Sequence, residues 1–89
     1  MEIEESCRRD VVARLRRIEG QVAGIVAMIE SGRECADVVT QVAAVSRALD
    51  RAGFKIVSNG IAQCAAAAER GEAPPMDQER LERLFLALS

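Results

Sequence analysis

The sequence predicts an all-α protein of three helices, on three observations. Apolar residues recur at helical spacing in the first third of the chain, the middle third is a long run without proline, and a proline pair separates it from a short apolar segment. With 89 residues the chain forms one domain, residues 1–89, with a thin core. We therefore expect it to associate with copies of itself.

The first predicted helix covers residues 6–31, followed by Gly32, which suits a C-terminal cap. Its apolar residues follow one another at intervals of three and four, a helical seam that no strand would show. They are Val11, Leu15, Ile18, Val22, Ile25 and Ile29.

The second predicted helix covers residues 34–70 and is rich in alanine and valine. Gly71 and the proline pair after it end this helix. Gly53 and the segment 58–60 weaken it locally, but we expect it to be continuous. The third helix, residues 77–88, begins at Asp77, a good N-terminal cap. Its apolar face consists of Leu81, Leu84, Phe85 and Leu88.

Cys35 and Cys64 lie on one face of the second helix, within roughly 20° of each other, but about 43 Å apart along its axis. A disulfide needs Cα atoms within about 7 Å, so the two thiols cannot react inside one chain. Two chains laid antiparallel can bring Cys35 opposite Cys64 of the other copy, and Val42 then faces Val57. The same register places Ser46 against Gly53. Alternatively, both cysteines are simply small core residues.

Composition limits the possible functions. The chain has no histidine, which removes imidazole-dependent hydrolases and most transition-metal sites. Its acidic start and the lack of a long apolar run predict a cytoplasmic protein without a membrane segment. Cytosolic thiols stay reduced, so the three cysteines are reactive, ligating or packed. We assign no role to Cys7.

Basic residues concentrate in the middle of the chain. Residues 8–55 carry nine basic and six acidic side chains, although the net charge is −2. Arg47, Arg51 and Lys55 form one stripe at intervals of four, about 160° around the helix from the cysteines. Such a stripe suits phosphate binding, or it is a solvated face balanced by acidic neighbours. The acidic neighbours are Asp10, Glu19 and Asp50.

Residues 14–25 read Arg-Leu-Arg-Arg-Ile-Glu-Gly-Gln-Val-Ala-Gly-Ile, and residues 35–45 read Cys-Ala-Asp-Val-Val-Thr-Gln-Val-Ala-Ala-Val. From about residue 8 to Cys64 the chain resembles the CsoR/RcnR family of bacterial transcriptional repressors. The resemblance implies an antiparallel helical-bundle dimer, a flat tetramer (a dimer of dimers), and operator DNA bound by basic faces of the first two helices. The residues implied in DNA contact are Arg14 and Arg51, followed by Arg16, Arg17, Arg47 and Lys55.

The effector implied by the resemblance depends on the branch of the family. Copper-sensing members bind Cu(I) with two cysteines, matched by Cys35 and Cys64, and a histidine at the position of Gly60. Without histidine that three-ligand site cannot form, and nickel or cobalt sites are excluded as well. The formaldehyde-sensing branch uses an N-terminal proline, where this chain has Glu2. The two cysteines without histidine resemble the persulfide-sensing branch, CstR.

Our leading hypothesis is therefore a repressor that needs no cofactor and releases operator DNA when low-molecular-weight persulfides bridge Cys35 and Cys64. Cys35 is favoured as the attacking thiol because helix N-termini stabilise thiolates. One alternative is a Cu(I)-responsive repressor in which the same two thiolates bind the metal. Another is a helical assembly module that binds no DNA. An enzyme is not expected, because nothing assembles an acid, a base and a pocket.

Overall fold

The computed structural model describes residues 2–88 and contains three α-helices with no strand in that range. Helix α1 covers Glu5–Glu30, α2 covers Cys35–Glu69 and α3 covers Gln78–Leu88. The all-α prediction is confirmed, and every helix end lies within one residue of its predicted position. Helix α2 is continuous through Gly53 and residues 58–60.

Glycines with a left-handed backbone end the first two helices. Gly32 has φ 78° and Gly71 has φ 70°, a region that residues with a Cβ rarely adopt. The next residue then donates its N–H back to the last turn: Arg33 to the Met28 carbonyl at 3.0 Å, and Glu72 to the Ala67 carbonyl at 2.9 Å. Each end is thus a Schellman motif, which satisfies carbonyl groups that would otherwise lack partners.

Helix α3 begins where the sequence predicts. The Asp77 side chain accepts a hydrogen bond from the Glu79 N–H at 3.2 Å, and the Asp77 carbonyl accepts one from the Leu81 N–H at 3.0 Å. The side-chain bond satisfies a free donor of the first helical turn. The cap therefore fixes the point at which the chain turns back toward α2.

Helix α2 packs against both other helices, whereas α1 and α3 do not contact each other within residues 2–88. On α1, Val11 and Ile18 are buried, and only α2 is available to cover them. Val45 and Ala52 are buried on α2. This α1–α2 hairpin forms one side of the protomer.

Helix α3 covers the C-terminal half of α2. Leu81 packs with Val57 and Cys64, and Leu88 packs beside them. The Phe54 and Phe85 rings meet edge to face, with 5.3 Å between their centroids. The apolar face of α3 is thus partly buried against α2 in the same chain.

The protomer is a slab of 58 × 24 × 12 Å, about the thickness of one layer of helices. One layer has two faces and no enclosed interior, so many large apolar side chains remain exposed. On the α1–α2 hairpin they include Leu15, Val22, Val26, Ile29, Val39, Val42 and Leu49. No helix in the described part of the chain is long and apolar enough to cross a membrane.

Candidate thiol site and basic groove

Cys35 and Cys64 lie near opposite ends of α2. Cys35 is the first residue of the helix and is exposed, whereas Cys64 is buried with 5% of its surface accessible. Because the helix is continuous, the rise of about 1.5 Å per residue separates them by roughly 43 Å. Any chemistry that joins these two thiols needs a second chain.

The Cys64 thiol lies beneath α3. It packs with Val57 and Leu81, and its Sγ donates a weak hydrogen bond to the Met76 carbonyl oxygen at 3.7 Å. An open groove of ≈ 430 Å³ adjoins it between α2 and α3. The groove is lined mainly by apolar side chains: Ile61, Ala65, Ala68, Leu81 and Phe85.

The α2 face expected to meet a partner chain runs from Cys35 to Cys64 and includes Val39 and Leu49. Its two halves differ in exposure. Val39, Val42 and Leu49 are exposed in its N-terminal half. In its C-terminal half a Cβ on Gly53 would lie 2.8 Å from Leu88 Cδ2 of the same chain. Nothing in the sequence pattern indicates this contact, which arises because the apolar face of α3 also packs against α2. The proposed pairing of Ser46 with Gly53 therefore competes with Leu88, and the register stays a prediction.

Cys7 lies where α1 meets α2 and is half-buried. Its Sγ donates a weak hydrogen bond to the Lys55 carbonyl oxygen at 3.7 Å. It lies on α1, whereas Cys35 and Cys64 lie on α2, 28 and 57 residues further along the chain. We assign it no role.

Four arginines line one groove between α1 and α2. Arg14 and Arg17 come from α1, and Arg47 and Arg51 come from α2. The groove has a volume of ≈ 410 Å³ and also exposes the polar Gln21, which sequence analysis did not single out. The two helices thus bring together arginines that are 30 or more positions apart along the chain. Guanidinium groups arranged in this way present several hydrogen-bond donors to one anionic ligand.

Lys55 and Arg16 are the other two basic residues of the prediction, and they are placed differently. Lys55 Nζ lies 2.6 Å from Asp10 Oδ2, close to Arg14, whose Nε donates to Asp10 Oδ1 at 3.2 Å. Arg16 does not line the groove and lies 3.9 Å from Glu19 on the exposed side of α1. Five of the six basic residues thus cluster along the α1–α2 junction.

Asp10 is the acidic member of this cluster. The hydrogen bond from Lys55 lowers the pKa of its carboxyl group below the usual 3.8, and the positive charges of Arg14 and Lys55 act in the same direction. Sequence analysis treated Asp10 only as a balancing charge. The interval of four between Asp10 and Arg14 was a signal for that pair, but nothing local indicated Lys55.

Metal ligation within one protomer has little support. Residues 2–88 contain no cluster of three or more histidine, cysteine, aspartate or glutamate side chains that could hold a metal ion. Cys35 and Cys64 supply one soft thiolate each, at separate ends of α2. A Cu(I) ion, which prefers such ligands, fits only a site that two chains share.

Several known proteins similar to this chain are transcriptional repressors. The copper-sensing transcriptional repressor RicR of Mycobacterium tuberculosis is 39% identical over 69 residues, which cover 78% of this chain and 72% of RicR. The copper-sensing transcriptional repressor CsoR of Bacillus subtilis is 38% identical over 56 residues, covering 63% of this chain. This chain spans only 55% of the length of that CsoR.

A protein from the bioA 5′ region of Serratia marcescens, described as uncharacterized, is 31% identical over 81 residues, which cover 91% of this chain and 87% of that protein. No solved structure matches the chain significantly. Residues 7–89 match the family described as metal-sensitive transcriptional repressor. These findings confirm the resemblance to CsoR-type repressors, and this chain belongs to the family of metal-sensitive transcriptional repressors.

Proposed function

We propose that this chain is a repressor that binds operator DNA through the α1–α2 groove and responds to an effector at a Cys35–Cys64 site shared by two chains. Transcriptional repressors are not enzymes, which agrees with the expectation from sequence. The observation that carries the DNA-binding part is the convergence of four arginines from two helices on one groove. Arginine is well suited to phosphate and to guanine edges.

The shared thiol site is supported by two features of the protomer. The length of α2 prevents Cys35 from meeting Cys64 in the same chain. The exposed apolar residues of α1 and α2 form a face that a second copy would cover, as expected for a slab one helix thick. An antiparallel, two-fold symmetric dimer places two equivalent Cys35–Cys64 pairs at its ends.

The thiols differ in a way that suits sequential attack. Cys35, exposed at the N-terminus of α2, is the attacking thiol: its thiolate takes the sulfane sulfur of a persulfide, and the remaining thiol leaves. Cys64 of the partner subunit, buried under α3, is the resolving thiol. Its thiolate attacks the Cys35 sulfur and releases hydrosulfide, so two thiols are oxidised to a disulfide while the persulfide is reduced. If a second persulfide first transfers its sulfane sulfur to Cys64 and leaves as a thiol, the Cys64 persulfide attacks the Cys35 sulfur, releases hydrosulfide and forms a bridge of three sulfurs.

Cu(I) is the second candidate effector, and the names of the relatives favour it. RicR and CsoR are both described as copper-sensing. Against this, Gly60 stands where the resemblance implies a histidine ligand, and the chain has no histidine at all. If Cu(I) binds, Cys35 and Cys64 from two chains hold it, and the metal supplies a soft Lewis acid that ties the chains together.

Intact mass spectrometry under non-reducing, denaturing conditions distinguishes the effectors. The reduced protein is exposed to a low-molecular-weight persulfide, with Cys7→Ser as the control that should behave like the wild type. A covalent dimer that is lost in Cys64→Ser supports the persulfide proposal. Three unmodified thiols would exclude persulfide, and tight Cu(I) binding that needs both Cys35 and Cys64 would then identify copper.

The DNA-binding proposal has its own test. Neutralising phosphates makes the logarithm of the affinity fall with the logarithm of salt concentration, with a slope of about −0.9 for each contact. A steep slope that Cys64→Ser leaves unchanged supports the groove as a DNA site separate from the thiols. Absence of salt-dependent binding would instead support a helical assembly module.

A further inference from the structure

Asp10 lies beside the basic groove, next to Arg14, and both of its carboxylate oxygens pair with cations. Oδ2 lies 2.6 Å from Lys55 Nζ, and Oδ1 accepts a hydrogen bond from Arg14 Nε at 3.2 Å. The Asp10–Lys55 pair is the one ion pair that joins α1 to α2 within the described part of the chain. One aspartate therefore holds two of the cations assigned to DNA contact.

The other groove arginines differ from Arg14. Arg17, Arg47 and Arg51 have no ion-pair partner among residues 2–88. The remaining ion pairs of α1 involve Arg8, Arg9 and Arg16, which do not line the groove. Among the groove arginines only Arg14 thus has an ion-pair partner within residues 2–88, and that partner is Asp10.

The Asp10 pairs are accessible to competition from solvent and ligands. The side chains of Asp10, Arg14 and Lys55 are 40%, 37% and 45% exposed. Water and salt screen ion pairs at such positions, and a pair of this kind holds its members loosely. A phosphate oxygen can replace the carboxylate at either cation without unpacking the hairpin.

We propose that Asp10 limits DNA affinity by occupying Arg14 and Lys55 in the free protein. This inference rests on the proposed DNA-binding function and assigns a regulatory residue to the same groove. DNA must break the Asp10 pairs before both cations can neutralise phosphate, and the carboxylate then remains near the backbone as a like charge. Removing the charge should raise the affinity and add about one phosphate contact to the salt dependence.

The test compares Asp10→Asn with Glu19→Gln. Each removes one negative charge from α1, but Glu19 neighbours Arg16, outside the groove. Binding to a fluorescent random-sequence DNA duplex is followed by anisotropy between ~50 and ~200 mM NaCl. One added contact steepens the log–log slope by about 0.9, so the gain in affinity over the wild type should be about 3.5-fold larger at ~50 mM than at ~200 mM. Glu19→Gln should show only a small gain with an unchanged slope.

The Lys55→Met background supplies a second readout. There Asp10→Asn should give a smaller gain, because one of the cations that it frees is gone. Circular dichroism at each salt concentration verifies that the variants are folded. If Asp10→Asn does not fold, Asp10→Ser is used in its place.

Equal effects of Asp10→Asn and Glu19→Gln would overturn the inference and leave the groove as the DNA site. Weaker binding by Asp10→Asn would also overturn it, by making Asp10 a residue that positions Arg14. If the wild type shows no salt-dependent binding, the proposed function itself fails and the inference fails with it.

Discussion

Replacing Leu81 with alanine should expose the Cys64 thiol. Leu81 is 6% exposed and forms a buried cluster with Val57 and Cys64. Because α2 is the only neighbour of α3 within residues 2–88, this cluster is central to the docking of α3. Alanine is at least as good a helix former as leucine, so the substitution weakens docking and leaves α3 itself intact.

The size of the effect follows from the burial of Leu81. Substitution of a buried leucine by alanine costs about 2–5 kcal/mol, and a side chain packed at the edge of a thin protomer belongs at the lower end, about 2 kcal/mol. A difference of about 1.4 kcal/mol is a factor of ten. The undocked population of α3 therefore rises about 30-fold. Since a buried thiol reacts from its open state, the modification rate of Cys64 rises by the same factor.

The assay uses a chain that carries Cys7→Ser and Cys35→Ser, so that Cys64 is the only thiol. Its reaction with an aromatic disulfide reagent is followed by absorbance. Leu84→Ala is the matched control, because Leu84 lies on the same helix but is 45% exposed, and its rate should change little. Equal rates in the two variants would refute the argument that α3 covers Cys64.

Three further predictions concern the groove and the open apolar face. Arg51→Ala should lower the magnitude of the salt slope of DNA binding by about 0.9 per lost contact; the control is Arg16→Ala, and an equal loss there would contradict the groove as the site. The Lys55 hydrogen bond lowers the pKa of Asp10 from 3.8, so the stability that Asp10 contributes is complete above pH 3.8 and is lost as the pH falls through the lower, folded-state pKa. The urea midpoints of wild type and Asp10→Asn should therefore differ near neutral pH and converge in acid, and a constant difference would disprove this linkage. Leu49→Glu should shift the sedimentation of the protein toward the monomer, because Leu49 is exposed on the open face. The control is Ala62→Glu, which lies about 140° around α2 from Leu49 and should leave the sedimentation unchanged. Unchanged sedimentation of Leu49→Glu would argue against an interface at Leu49.

Much of the site could be predicted because its parts lie on single helices. The interval of four in Arg47, Arg51 and Lys55 places them on one side of α2 whatever packs against it. The cysteine separation follows in the same way from a continuous helix. Gln21 was not identified as part of the groove, nor Asp10 as a partner of Lys55, because both placements depend on how α1 is rotated against α2. Arg16 shows the reverse case, since the resemblance made it a weaker candidate for DNA contact and it lies outside the groove.

The three helices, their ends, and the helix face on which each charged or thiol side chain lies all follow from the sequence alone. These properties depend on intervals of three and four residues and on glycine or proline at a few positions, all of which are local. The packing of the helices, by contrast, brings four arginines into one groove, places Asp10 between Arg14 and Lys55, and buries Cys64 under α3. Those outcomes depend on the rotation and offset of packed helices. Many apolar contacts set these jointly, between residues up to tens of positions apart, and no single interval in the sequence encodes them.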